Sequence, residues 1–174
     1  MTGSESLSKN RAEPNKAVSQ EFIMNKKEFI GLKSSEDLFG FIEKIYSEYC
    51  SASTETKFLA LIFLLNHLRD WISGGIGWEK IKNIPENQRN AGQIFYEEIY
   101  NIPEFRDILH PLCNGIKHFK IEIVTEPITG FRAGIGRSGD SLSLKYFLIN
   151  GTDIRNIFEK VLQKYRDYFS RTGC

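Results

Sequence analysis

The chain has 174 residues, 41% apolar, 26% charged and 13% aromatic, with a formal net charge of +1. That length and composition fit one globular domain with a single core, and they exclude fibrous and intrinsically disordered classes. The balance of charge excludes a polybasic, histone-like or acidic-tail protein, and leaves room for a local basic groove.

Residues 1–21 are polar and without period, and read as a mobile tail ahead of a single domain spanning residues 22–174. Ser34 followed by Asp37 predicts a capped helix start. Leu38, Phe41, Ile42, Ile45 and Tyr49 then recur at helical spacing over about residues 35–50. Ser51, Ser53 and Thr54 offer the next cap. The apolar stretch from Phe58 to Ile72, interrupted by Asn66, His67, Arg69 and Asp70, reads as the central helix, and Ser73-Gly74-Gly75 stops it. Trp78 to Ile84 predicts a short helix. Pro85 is expected to open the next one, which carries Ile94, Phe95, Ile99 and Tyr100. Asn101 is expected to cap a helix over about residues 103–118, kinked at Pro111. The period then changes. Ile121 and Ile123 alternate with Lys120 and Glu122, Leu142 to Leu148 alternate again, and the stretch around Phe131 is a candidate third strand. Asn150-Gly151 is a hairpin turn signal. Thr152 is expected to cap a last helix with Ile154, Ile157, Phe158, Val161, Leu162, Tyr165 and Phe169 on one face. The expected fold is mainly α within the α+β class: an antiparallel helical bundle with a small β-hairpin at about residues 119–150, before the C-terminal helix.

Cys50, Cys113 and Cys174 are far apart and form no CxxC pair. That argues against a disulfide framework and a cysteine zinc site, and for a cytoplasmic location. The first twenty residues contain no apolar signal region. The longest apolar run, Phe58 to Leu65, is too short to span a bilayer, so no membrane partner is expected.

The three histidines fall on two predicted helices. His110, Asn114 and His118 share a face at four-residue spacing, with Lys117 and Arg106 beside it. His67 and Asp70 share a face of the central helix, next to Asn66. If the helices face one another, a polar pocket forms inside an apolar bundle, and its groups need partners or a ligand. Three chemistries fit: a structural network clamping two helices, acid–base catalysis by His118 with Lys117 or Arg106 opposite a phosphate, or a metal site, which the scarcity of acids disfavours. Gly134 to Gly139 spells GxGxxG without the strand and helix that a dinucleotide site requires, so a hairpin loop is expected, with Arg132, Arg137 and Lys145 either as phosphate contacts or, as is commoner for basic residues on a loop, simply solvated.

The segments Asn66-His67-Leu68-Arg69-Asp70-Trp71 and Asn114-Gly115-Ile116-Lys117-His118-Phe119, followed by a hairpin and a last helix, resemble small bacterial helical proteins of the HEPN superfamily. The likeness covers the layout of about residues 35–170. It implies a helical bundle that dimerises and cleaves RNA without metal or other cofactor, in toxin–antitoxin or antiviral defence systems. It equally admits members that have lost catalysis and bind a partner protein. On this likeness His118 is the acid–base group. Asn114, Lys117 and His110 position or neutralise phosphate, and His67 and Asp70 orient the site. The chain departs from the Arg-x4–6-His pattern of the nucleases: no arginine precedes His118 at that distance, and Arg106 with His110 is one residue short. A nuclease requires His118 and Lys117 to reach solvent or a dimer cleft; an interaction module does not.

Overall fold

The computed structural model describes residues 31–118, 120, 125–129, 136–138, 140 and 144–173. Among them the chain is mainly helical, with a small antiparallel sheet before the C-terminal helix.

Helix α1 (Ser35–Ser51) starts on a reciprocal cap. The Asp37 amide donates to Ser34 Oγ at 3.0 Å, and the Asp37 carboxylate accepts from the Ser34 amide at 3.0 Å. Hydrogen bonding by the Lys33 amide and then by Ser34 holds the Asp37 carboxyl below the usual carboxylate range. The core face is Leu38, Ile42, Tyr46 and Tyr49. Phe41, expected on that face, is 44% exposed, because the inward stripe runs through Tyr46 instead.

Helix α2 (Glu55–Ile72), capped by Thr54, is the central element and packs against α1 and three later helices. Phe58, Leu61, Ile62, Leu65 and Leu68 are buried, and so are Asn66 and Arg69. Gly74 and Gly75 end it at φ of +79° and +78°, conformations that glycine adopts without steric cost.

Helix α3 (Trp78–Ile81) is a single turn. Pro85 does not open a long helix: it precedes a 3-10 turn at Glu86–Gln88. Helix α4 (Ala91–Tyr100) begins six residues later, because Asn90 and Gln93 form the reciprocal cap that makes a better start. Ile94 and Tyr100, expected in the core, are exposed, while Phe95, Tyr96 and Ile99 face inward. Asn101 closes α4 and does not cap the next helix.

Gly92 fixes how α4 sits on α2. A Cβ at this position would lie 2.2 Å from the Ile72 carbonyl oxygen and 2.9 Å from its carbon. The two backbones therefore meet with no room for a side chain.

The expected kinked helix over residues 103–118 is two pieces. A π-helical segment, Glu104–Leu109, leads into α5 (His110–His118). The His110 amide donates to the Phe105 carbonyl five residues back. Pro111 has no amide to continue the ordinary ladder, and the widened turn accommodates its ring.

Strands β1 (Thr125–Thr129), β2 (Lys145–Ile149) and β3 (Thr152–Asp153) lie in that order, each pair antiparallel. The expected strand around Ile121 and Ile123, the candidate third strand at Phe131 and most of the GxGxxG loop lie outside the described residues. The third strand in the sheet is the two-residue β3. Asn150 and Gly151, at φ of +49° and +77°, form the tight turn that pairs Ile149 with Thr152. Thr152, expected as the cap of the last helix, is therefore a strand residue. Asp153 caps helix α6 (Ile154–Thr172) instead, accepting from the Arg155 amide at 2.9 Å.

The inward face of α6 closes the core. Tyr165 donates to the Leu65 carbonyl at 2.7 Å and Tyr46 donates to the Arg155 carbonyl at 3.2 Å, tying α6 to α2 and α1. Arg155 is 1% exposed. It donates to Asp153 and, through both terminal nitrogens, to Asp140, and its guanidinium lies 4.8 Å from the Tyr146 ring centroid. No helix among the described residues is long and apolar enough to cross a membrane.

Two outcomes follow from these contacts. Gly92→Ala should lower the unfolding free energy by about 1–3 kcal/mol, the usual cost of overpacking, read as a shifted denaturant midpoint at unchanged slope. Arg155→Leu should cost about 3–5 kcal/mol, because it strands buried carboxylates. The hydrogen bonds from Arg155 hold the Asp140 carboxyl below its ordinary value. The contribution of that pair is thus complete above the unfolded carboxylate pKa and is lost as pH falls through the lower folded one. Denaturation curves of wild type and Arg155→Leu should converge at strongly acidic pH.

Candidate functional site

The polar residues of α2 and α5 meet, the condition that the sequence left open, through Asn66, Arg69 and His110. His110 is half-buried. Its Nδ1 lies 2.8 Å from Asn66 Oδ1 and 3.2 Å from Arg69 Nη2, both on α2. Its Nε2 lies 3.1 Å from Asn114 Nδ2, one turn further along α5. One tautomer satisfies both amides: Nδ1–H donates to Asn66, and Nε2 accepts from Asn114. Arg69 Nη2 then approaches an atom that has no lone pair to offer.

Burial pushes the His110 imidazole down to about 4, and the adjacent Arg69 charge adds to the shift. Two rings fix its plane: Phe105 at 6.1 Å, nearly parallel, and Tyr100 at 5.5 Å, edge-on. Phe105 sits in the π-helical segment. That segment sets the ring and His110 at the correct phase to stack.

Arg69 is the residue around which the site is built. It is 6% exposed. Tyr96, Phe105 and Tyr100 surround its guanidinium, with centroids at 4.6, 4.9 and 5.8 Å. Its Nε is buried without a hydrogen-bond partner. Among the described residues no carboxylate forms an ion pair with it. Arginine is the cation best suited to such a place, because its flat, weakly hydrated head stacks on aromatic faces.

A cavity of about 420 Å³ opens beside this group. Arg69 and His110 form its polar end, Trp78, Tyr96 and Tyr100 its aromatic walls, and Glu97 and Asn101 its rim. Trp78 and Tyr96 lie within 10° of parallel, with ring centroids 6.5 Å apart. The close approach at Gly92 is what brings the Tyr96 and Tyr100 turns of α4 down onto Arg69.

The other residues singled out in the sequence are distributed around this centre. His67 donates to Asp70 at 3.1 Å, so these two pair with each other and not across to α5, while the half-buried Asp70 carboxylate also acts on Tyr96 and His110. Lys117 and His118 are exposed at the C-terminal end of α5. His118 lies two turns, about 12 Å, from His110 along that helix. Arg106, expected beside the α5 face, points outward and pairs with Asp107 at 2.7 Å, because the π-helical turn changes its phase. Arg137 is not at this site: it donates to Asn156 at 2.6 Å, and its amide donates to Asp140. Lys145 is exposed on β2. Arg132 lies outside the described residues. Cys113 is core, and burial raises its thiol pKa. Among the described residues no three of His, Cys, Asp or Glu are grouped so as to hold a metal ion.

Arg69, Tyr96 and Tyr100 were not singled out as site residues by sequence reasoning. The available signal is an arginine three residues after Asn66 on an otherwise apolar helix, which shares the Asn66 face and must find partners in the core. No family model matches the chain, and no curated protein or solved structure is significantly similar to it.

The His110 environment makes a measurable prediction. A histidine ring signal that disappears in His110→Gln should titrate near pH 4 by NMR. Its folded pKa lies below the ordinary imidazole value, so its contribution to stability is complete above about pH 6.5 and declines as pH falls toward 4. Titration of that signal near 6.5 would mean a hydrated ring free of Arg69.

Proposed function

We propose that this chain is a HEPN-like domain acting on RNA phosphodiesters, with Arg69 in place of the arginine missing upstream of His118. One observation supports the reading. Arg69 stands 3.2 Å from His110 across two helices, so an arginine and a histidine meet in space although no Arg-x4–6-His run joins them in sequence. Asn114 and His118 continue from His110 along the same face of α5, and Lys117 and His118 reach solvent. This is the condition that catalysis sets.

In this reading His118 takes the proton from the RNA 2′-hydroxyl. The 2′-oxygen attacks phosphorus, the bond to the 5′-oxygen breaks, and the leaving oxygen receives a proton from an acid. The products are a 2′,3′-cyclic phosphate and a 5′-hydroxyl. Lys117 offsets charge on the reacting phosphate. Arg69, about two helical turns away, holds another part of the strand. A second copy of the chain, facing the first, would supply the acid as its own His118. The step requires no cofactor.

A second reading has its own support. Both ring nitrogens of His110 are engaged inside the protein, and its pKa of about 4 leaves it neutral at physiological pH. A non-catalytic module that binds RNA or a partner protein of the same defence system needs no more than this clamp.

Labelled RNA incubated with the purified protein in EDTA separates the two. Cutting to cyclic-phosphate ends is expected, with His118→Ala reducing the rate by about 100-fold or more. Arg69→Gln should mainly raise the RNA concentration needed for half-maximal rate. A folded wild type that cuts nothing would favour the interaction module.

A further inference from the structure

Holding a strand requires a guanidinium that solvent can reach, and Arg69 is 6% exposed. A strand meets it only if something over it moves. Helices α2, α4 and α5 and the π-helical segment pack together through the core, so moving any of them breaks buried contacts. Helix α3 is different. It packs extensively on no other element, and from Gly74 to Gln88 only Ile81 is buried. Segments with so few buried apolar contacts are the first to open.

The attachment of α3 to the cavity is a single ring. Trp78 is its side chain there, in offset contact with Tyr96 at 10° and a centroid separation of 6.5 Å. Tyr96 in turn lies 4.6 Å from the Arg69 guanidinium, so Trp78 steadies a ring that covers the cation. Gly77 gives α3 no side-chain cap, and the Trp78 amide acts on the Tyr96 hydroxyl instead. On the α2 side the turn leaves through Gly74 and Gly75, where open space surrounds the position a Cβ would take, so the chain pivots there without a clash. On the other side it is fixed, by the fully buried Ile81 and by the Arg89–Glu97 pair on α4.

We propose that the turn from Gly74 to Lys80 is a lid on the Arg69 cavity, pivoting at Gly74 and Gly75 and latched by Trp78 on Tyr96. Closed, it holds Tyr96 against the guanidinium. Open, it clears the mouth and lets the Tyr96 ring turn aside, so that Arg69 meets solvent. That the opening admits a strand rests on the RNA reading above; the motion itself does not.

Reaction of the full chain with phenylglyoxal, an arginine-selective dicarbonyl, tests the lid when each arginine is followed by peptide mass spectrometry. Exposed Arg171 sets the fast limit, and Arg155, 1% exposed with its own carboxylates, reports global unfolding. In the wild type Arg69 should react more slowly than Arg171 and faster than Arg155. Minor open states are populated at about 0.1–10%, so Trp78→Ala should speed the reaction of Arg69 by about tenfold or more and leave Arg155 unchanged. Trp78→Phe, which keeps a ring on Tyr96, should restore the slow rate. Three outcomes overturn the proposal: Arg69 reacting as fast as Arg171 in the wild type, equal rates at Arg69 in wild type and Trp78→Ala, or Arg69 and Arg155 accelerating together. A wild type that cuts no RNA counts against the RNA reading alone, and the dicarbonyl rates still decide the lid.

Discussion

A cation buried without a carboxylate dictates much of this architecture. Removing a guanidinium from water is costly, and the usual remedy is an acid alongside. Arg69 instead lies among three aromatic rings and an imidazole. Those rings come from α4 and the π-helical segment, so both must pack closely on α2. Gly92 permits the first approach by leaving the Ile72 carbonyl unobstructed. The π turn permits the second by placing Phe105 and His110 in stacking phase. The resulting pocket is held together by contacts that a change of charge would disturb. Burial keeps His110 neutral, and Arg69 adds to the effect, because a proton on the imidazole would set two cations 3.2 Å apart.

The opposite end of the molecule solves the same problem conventionally. Arg155 is as deeply buried, and it has Asp140 and Asp153 for partners together with the Tyr146 ring. Its hydrogen-bonding capacity is spent inside the protein. The contrast gives the Arg69 site its chemical character: one arginine has its anions built in, and the other has aromatic rings and an imidazole in their place.

Much of the fold was legible because its signals are local. The Ser34/Asp37 cap, the Thr54 cap and the double-glycine stop depend on neighbouring residues, and the helices they bound appear where the spacing places them. Errors arose where two local signals competed. Pro85 and Asn90 both suit a helix start, and the reciprocal cap with Gln93 won. Thr152 and Asp153 both suit an N-cap, and the demand of Asn150-Gly151 for a paired strand residue used the first. That α2 and α5 each carry polar residues on an apolar helix was legible, and whether they meet was left open. The identity of the meeting residues was not legible. A single turn of π-helix rotates Arg106 outward and leaves His110 inward, and four-residue spacing carries no trace of that turn. The aromatic box around Arg69 draws on α2, α4 and the π-helical segment, so no window of sequence contains it.

The hydrogen bond from Tyr165 to the Leu65 carbonyl joins residues 100 positions apart. At about 5–20 residues per second of synthesis, α2 therefore waits roughly 5–20 seconds for the helix that covers it. During that interval its Leu- and Ile-rich faces lack their final neighbour, and Arg69 has only part of its aromatic box. The segment with the longest apolar run is thus the one most in need of protection as it leaves the ribosome. Newly made chains should be at greatest risk of aggregation before α6 emerges, and the two tyrosine hydroxyls that tie α6 to α1 and α2 mark when that risk ends.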